Sequence, residues 1–298
     1  MIDYINYYYN LYPININNID DKYMFYVDSE KYYFVPYDRS IEELDELIEL
    51  NKEMLNNNSL VHEIIFNKFD KVLNNYNGKN YILLRTYVNN DKKVEIIDII
   101  NMLNEGNIVN TNKMISRINW AKLWESKVDF FEYQITQVIK KYPIIYSIID
   151  YYIGLSENAI LYLKDISPSY IGEICYGVCH KRIGVNSTLF DLYNPLNLII
   201  DYKVRDFSEY IKSAFFNNKN VEIVVNILFS NYYFDKFNLS LLISRLLFQS
   251  YFYDLFEKIM LGENESIILK ITKKSSNYED FIDKLIKKCN LQNIYWLK

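Results

Sequence analysis

The stretch Ile174-Cys-Tyr-Gly-Val-Cys-His-Lys-Arg-Ile-Gly-Val-Asn-Ser-Thr-Leu-Phe190, resumed at Leu198-Ile-Ile-Asp-Tyr-Lys-Val-Arg-Asp-Phe-Ser-Glu-Tyr-Ile211, decides how the chain is read. Short extended pieces are predicted at residues 171–178, Thr188–Phe190 and Leu198–Ile200, and a helical pattern starts at about Val204. A loop rich in charged and small polar residues follows His180, and an aspartate, Asp201, ends the last extended piece.

Outward from there the two flanks differ. The first ninety residues read as mostly β. Tyr23–Val27 and Lys31–Pro36 flank Asp28-Ser29-Glu30 as a hairpin. Ser40-Ile-Glu-Glu43 fits a capping box and opens a helix carrying Ile41, Leu44, Leu47, Ile48 and Met54. Strands follow at Leu60–Phe66 and Asn80–Val88, with Asn77-Gly78 a tight-turn signal between them. After Asn89-Asn90-Asp91 the pattern becomes helical. Lys93–Leu103 is ambiguous with helix preferred, residues 112–141 read as one long helix, and Pro143 opens another that runs to about Leu163. The plan is α+β in two lobes: a β-rich lobe over 1–90 and a larger helical lobe over 91–298.

At 298 residues and 50 % hydrophobic the chain can bury a substantial core. A net charge of −5 without a basic block argues against a nucleic-acid binder, which needs clustered positive charge to displace counterions. Three cysteines, Cys175, Cys179 and Cys289, do not make a disulfide framework. No secretory leader and no uninterrupted apolar span is visible, so a cytoplasmic location is expected. The 30 tyrosines fit the codon bias of an AT-rich genome. With only 7 glycines the chain has no Gly-x-Gly, which phosphate-cradling loops need where backbone closely approaches a ligand.

The opening segment resembles the catalytic region of aminoglycoside-phosphotransferase-like kinases, above all the spore-coat kinase-like proteins of the CotS/YutH type. In that family a His-Gly-Asp opens the catalytic loop, an Asn follows five residues after the Asp, and an Ile-Asp strand end supplies a metal ligand. His180 matches the loop histidine, but Arg182 stands at the catalytic Asp and Ser187 at the metal-binding Asn, with Asn186 one residue out of register. Asp201 falls at the metal-binding Asp, as a vestige because Asp206 follows it sooner than in active relatives, and Arg205-Asp206 matches the next helix start. Asn119-Trp120 to Trp124-Glu125 resembles a paired-tryptophan helix of the same branch, and aromatics at that spacing most simply anchor packing.

A guanidinium in the base position cannot accept a proton. The strand Tyr32–Tyr37 holds no phosphate-binding lysine; Lys31 lies at its edge and Lys22 before the preceding strand. Glu43, Glu46 and Glu49 could each partner such a lysine, but the lysine is missing. The resemblance thus implies a two-lobed protein-kinase-like fold without an intact catalytic set. Its expected work is as a binding or scaffold component with a protein partner in the spore coat, needing no cofactor. One alternative is a divergent ATP-dependent small-molecule phosphotransferase using Mg·ATP, with Asp191 or Asp206 as base. Another is an α/β interaction protein unrelated to kinases.

Other candidates carry less. Cys175-x3-Cys179-His180 has the wrong spacing for zinc, and neighbouring residues on a strand point apart, which disfavours a Cys179/His180 nucleophile pair. His62 reads as a surface or hydrogen-bonded histidine on an alternating strand. Tyr7-Tyr8-Tyr9 reads as an interaction surface or a strand.

Overall fold

The computed structural model describes residues 1–298 apart from 20, 58–59, 88–90, 106–112, 139–140, 167–175, 293 and 298. The chain forms two compact units, each built from two segments: Met1–Ser116 with Tyr176–Asp201, and Arg117–Cys175 with Tyr202–Lys298. The expected lobe boundary at residue 90 lies inside the first unit, and that unit also takes up the segment carrying His180 and Asp201.

The first unit starts with α1 (Ile2–Tyr9), β1 (Ile16–Ile19), β2 (Lys22–Val27), β3 (Glu30–Pro36) and α2 (Ile41–Asn56). It continues with β4 (Glu63–Ile65), β5 (Asn74–Tyr76), β6 (Lys79–Thr86) and α3 (Ile96–Glu105). The sheet is antiparallel in the order β1-β2-β3-β6-β4, with β5 also paired to β6. Both predicted hairpin turns form. Asp28 and Ser29 link Val27 to Glu30 with φ of 49° and 68°, and Asn77-Gly78 links Tyr76 to Lys79 with φ of 50° and 79°. Positive φ at both central residues matches the right-handed twist of the strands.

Strand alternation divides β3 between two faces. Tyr32 and Phe34 join Phe25, Tyr81 and Leu83 in a core closed by Ile5 and Tyr9 of α1. Tyr9 is therefore helical, against the strand reading of Tyr7–Tyr9. The β propensity of tyrosine is outweighed by the burial of Ile5 and Tyr9 four residues apart on one helical face, and Asn10 at φ 53° ends the helix. The polar strands β1 and β5 carry little apolar alternation and were missed.

Ser40 caps α2 as expected, its hydroxyl accepting from the Glu43 N–H. Helix α2 is bound to the strand segment by Asn51. Its amide donates to the His62 carbonyl at 2.7 Å, and its carbonyl accepts from the Ile64 N–H at 3.0 Å, with the side chain 2 % exposed. Asn51→Ala would leave two buried backbone groups without partners, and urea denaturation should show a loss of about 3 kcal/mol.

The second unit is helical: α4 (Trp120–Val138), α5 (Pro143–Tyr146), α6 (Ile149–Ile166), then, beyond the segment held by the first unit, α8 (Val204–Phe216), α9 (Val221–Asn231), α10 (Lys236–Leu247), α11 (Ser250–Met260), α12 (Leu269–Thr272) and α13 (Ser275–Lys288). Helix α4 starts at Trp120 rather than at 112. Of the residues before it, 113–119 are described and non-helical, and Ser116 bridges in parallel to Ile200. The helix expected from Pro143 is broken after Tyr146 and restarts at Ile149.

Candidate functional site

The segment that opened the sequence reading lies in the first unit as β7 (Tyr176–His180), a loop, α7 (Leu189–Leu192) and β8 (Leu198–Tyr202). Strands β7 and β8 pair with each other. Positions 171–175 of the predicted first extended piece, Cys175 included, lie outside the described residues. Thr188–Phe190 is not a strand. Thr188 makes one isolated bridge, to Lys93, and then caps α7, its N–H and hydroxyl both donating to Asp191 Oδ2 at 2.8 and 3.0 Å. A local capping box outweighs the β-branched side chain here.

His180 is 1 % exposed, with Nε2 2.7 Å from the Leu192 carbonyl at the end of α7. Arg182 is exposed, and its carbonyl accepts from the Asn197 amide at 3.0 Å. Asn186 is also exposed, and its carbonyl accepts from Lys93 Nζ at 2.7 Å. The Ser187 hydroxyl accepts from the Gly184 N–H at 3.1 Å, closing the loop on itself. Asp201 is fully buried on β8, and its carbonyl lies 3.9 Å from Cys179 Sγ.

The three glutamates offered as partners of a missing lysine all have other work. Glu43 Oε2 accepts from Arg39 Nε at 2.8 Å, and the same guanidinium donates through Nη1 to the carbonyls of Leu196 and Leu198 at 3.1 and 2.7 Å. Glu46 accepts from the N–H groups of Met114 and Ile115 at 2.8 and 2.9 Å. Glu49 lies 3.7 Å from Lys113 Nζ.

The sheet face opposite α1 is occupied by the same segment. The Phe190 ring is 4 % exposed and lies 4.5 Å from the Tyr33 ring on β3 and 5.1 Å from the His62 imidazole. Lys22, at the start of β2, places Nζ 4.5 Å from the Phe190 centroid and 3.8 Å from Asp191 Oδ1. His62 is wholly buried, contrary to a surface position, and neither ring nitrogen has a hydrogen-bond partner among the described residues. Burial pushes its pKa down to about 3 against the opposing pull of the Phe190 backbone, so the imidazole is neutral.

Between β1 and β2, where Ile19 lies directly opposite Lys22, Asp21 is exposed, and a carboxylate repels a phosphate. At the positions matched to the family's base and second metal ligand stand Arg182 and Ser187, the latter with its hydroxyl accepting from the Gly184 N–H. Among the described residues no three His, Cys, Asp or Glu side chains come together as a metal site.

The remaining predicted residues lie in the second unit. Asp206 is fully buried in the first turn of α8. Trp120 and Trp124 stack at 5.4 Å, Trp124 stacks on Phe248 at 4.4 Å, and Tyr202 meets Trp120 edge-on at 4.9 Å. Arg245 caps the pair, its guanidinium 4.9 Å from the Trp120 ring. Arg245 Nε also donates to Glu209 Oε1 at 2.9 Å, and Lys212 Nζ lies 3.6 Å from the same oxygen. Sequence reasoning missed Phe190, Tyr33 and Arg39, and it named Lys22 without its partner Asp191. Only Arg39 carried a local signal, its four-residue spacing to Glu43.

The structure is similar to an aminoglycoside phosphotransferase from Alicyclobacillus acidocaldarius subsp. acidocaldarius DSM 446, with a TM-score of 0.65 at 9 % identity over 95 % of this chain and 94 % of that one. It is also similar to a microcompartment-associated aminopropanol kinase, with a TM-score of 0.57 at 11 % identity over 97 % and 98 %. A third likeness is to the amicoumacin kinase hAmiN, with a TM-score of 0.54 at 11 % identity over 91 % of each chain. At such identities the likeness establishes the fold, a kinase-like phosphotransferase fold of the α+β class. A comparison with curated proteins finds no match. The family model described as "Spore coat putative kinase YutH" matches residues 2–285, nearly the whole length. The chain belongs to the YutH family of spore coat putative kinases.

Proposed function

We propose that this protein is a catalytically inactive member of its family that works by binding a protein partner in the spore coat. The observation that carries the reading is the Phe190 ring packed on Tyr33. The β3 face on which kinases present a lysine to the nucleotide phosphates carries an aromatic plug instead. Arg182 at the base position, the engaged Ser187 hydroxyl and the exposed Asp21 carboxylate between β1 and β2 support the same conclusion. No helix among the described residues is long and apolar enough to cross a membrane.

A second reading, a divergent small-molecule phosphotransferase, draws on the Lys22–Asp191 pair and on the buried Asp201. One measurement separates the two. With the full chain, millimolar Mg·ATP should raise the melting temperature by less than about 1 °C, because a ligand that does not bind the native state cannot stabilise it. ADP release should stay at the buffer rate. Magnesium-dependent turnover abolished by Asp201→Ala would replace the scaffold reading with the enzymatic one.

A further inference from the structure

A small pocket of about 190 Å3 opens at the tip of the first unit's sheet, between the β1–β2 turn and the β5–β6 turn. Its walls are Tyr23, Tyr76 and Tyr81, and its rim is Asn18, Asp21, Asn77 and Lys79. Tyr76 meets the other two rings edge to face, and Tyr23 and Tyr81 lie tilted 5.9 Å apart at 53°. Tyr23 lies 6.0 Å from Tyr76 at 86°, and Tyr76 lies 6.4 Å from Tyr81 at 75°. Behind them Tyr4 of α1 packs on Tyr76 at 5.1 Å, and Tyr81 is 5 % exposed, so the aromatic floor is anchored in the core. Asn77 is held at φ 50° by the two-residue turn, which fixes where its amide projects.

Several polar side chains of this unit, among them Glu43, Glu46, Asn51, Asn67 and Asn74, are spent on internal hydrogen bonds. The side chains of Asn18, Asp21, Asn77 and Lys79 are exposed around the pocket, and none of the four makes a hydrogen bond or ion pair with another described residue. Together they offer two amides, one carboxylate and one ammonium around phenol rings. The rim carries one charge of each sign, Asp21 and Lys79, so a singly charged ligand drawn to one is repelled by the other and gains little net attraction. A neutral ligand whose hydroxyls both donate and accept would meet complementary groups at every point of the rim. The volume holds about six waters by liquid volume, the scale of a single pyranose ring, and aromatic walls suit the apolar C–H face of such a ring.

We infer that this pocket is a binding site for a neutral hydroxyl-rich ligand, namely a single sugar residue or the exposed end of a polysaccharide. The site is separate from the His180–Asp201 segment and does not depend on whether that segment transfers phosphate.

The test uses the full chain with glucose, N-acetylglucosamine and myo-inositol as neutral probes, and inorganic phosphate and ethylamine as charged ones. Saturation-transfer NMR titrations should give saturable binding of at least one neutral probe in the millimolar range, as expected for a small polar ligand. The double substitution N18A/D21A, at exposed positions without internal partners, should weaken that binding at least tenfold while the melting temperature stays unchanged. Asn77→Asp, which tolerates the positive φ, should weaken it as well. Failure of all three neutral probes to saturate overturns the proposal. So does tighter binding of phosphate or ethylamine, or undiminished binding in a folded N18A/D21A protein.

Discussion

Glu209→Gln should cost the fold about 3–5 kcal/mol, the penalty of removing one partner from a buried ion pair. Glu209 sits between two buried cations, Arg245 and Lys212. Arg245 is 7 % exposed and donates to it at 2.9 Å, while Lys212 is 2 % exposed and also donates to the Phe248 carbonyl and the Ser250 hydroxyl at 3.0 and 2.9 Å. Glutamine keeps the shape and removes the charge, so two buried cations are left facing each other. The effect has a pH signature. Burial by itself would raise the Glu209 carboxyl, but Lys212, Arg245 and Arg205 outweigh it and hold the pKa at about 2. A depressed carboxyl contributes stability that is fully present above its unfolded value near 4.5 and is lost as pH falls toward 2. Urea denaturation at pH 7 should show the loss in E209Q, and a series from pH 5 to pH 2 should show a shallower acid decline than in the wild type. An E209Q protein with wild-type stability and an unchanged acid limb would mean that the carboxylate is not what holds these cations in place.

Trp120→Ala should cost a further 3–5 kcal/mol or so, typical of deleting a buried aromatic side chain. The ring is 2 % exposed and touches three different kinds of neighbour: Trp124 in a stack, Tyr202 at its edge, and the Arg245 guanidinium over its face. Because Arg245 is shared, losses from W120A and E209Q should not add. Each substitution already loosens the guanidinium on which the other depends, so the double variant should fall short of the sum by more than the few tenths of a kcal/mol seen for distant sites. Denaturant midpoints of the two single variants and the double variant measure that coupling. Strict additivity would place the tryptophan stack and the ion cluster in separate structures.

Local signals in the sequence were sufficient where the structure is local. The Asp28-Ser29 and Asn77-Gly78 turns, the Ser40 cap and the helix from Val204 depend on side chains within a few residues of each other, and all are present. The kinase-like plan was legible because His180, Asp201 and Arg205-Asp206 keep their order and approximate spacing. What failed was set by partners far along the chain. Tyr7–Tyr9 is helical because Ile5 and Tyr9 find a sheet to pack on, and Trp120 rather than residue 112 starts its helix after Ser116 pairs with Ile200. The plug of Phe190 on Tyr33 joins residues with no pattern in common. That Tyr32–Tyr37 contains no lysine could be read directly; that Phe190 packs on Tyr33 could not.

The Arg39 guanidinium has a consequence for motion. In protein kinases the helix after β3 swings, and its position sets activity. Here the corresponding helix is tied along its first half: by Arg39 and Glu43 to the carbonyls of Leu196 and Leu198, by Glu46 to the backbone of Met114 and Ile115, and by Glu49 to Lys113. A ligand can shift a population only where two arrangements of comparable free energy exist. A swing of this helix would have to break those bonds together, so the helix is expected to keep its place whether or not a ligand is present.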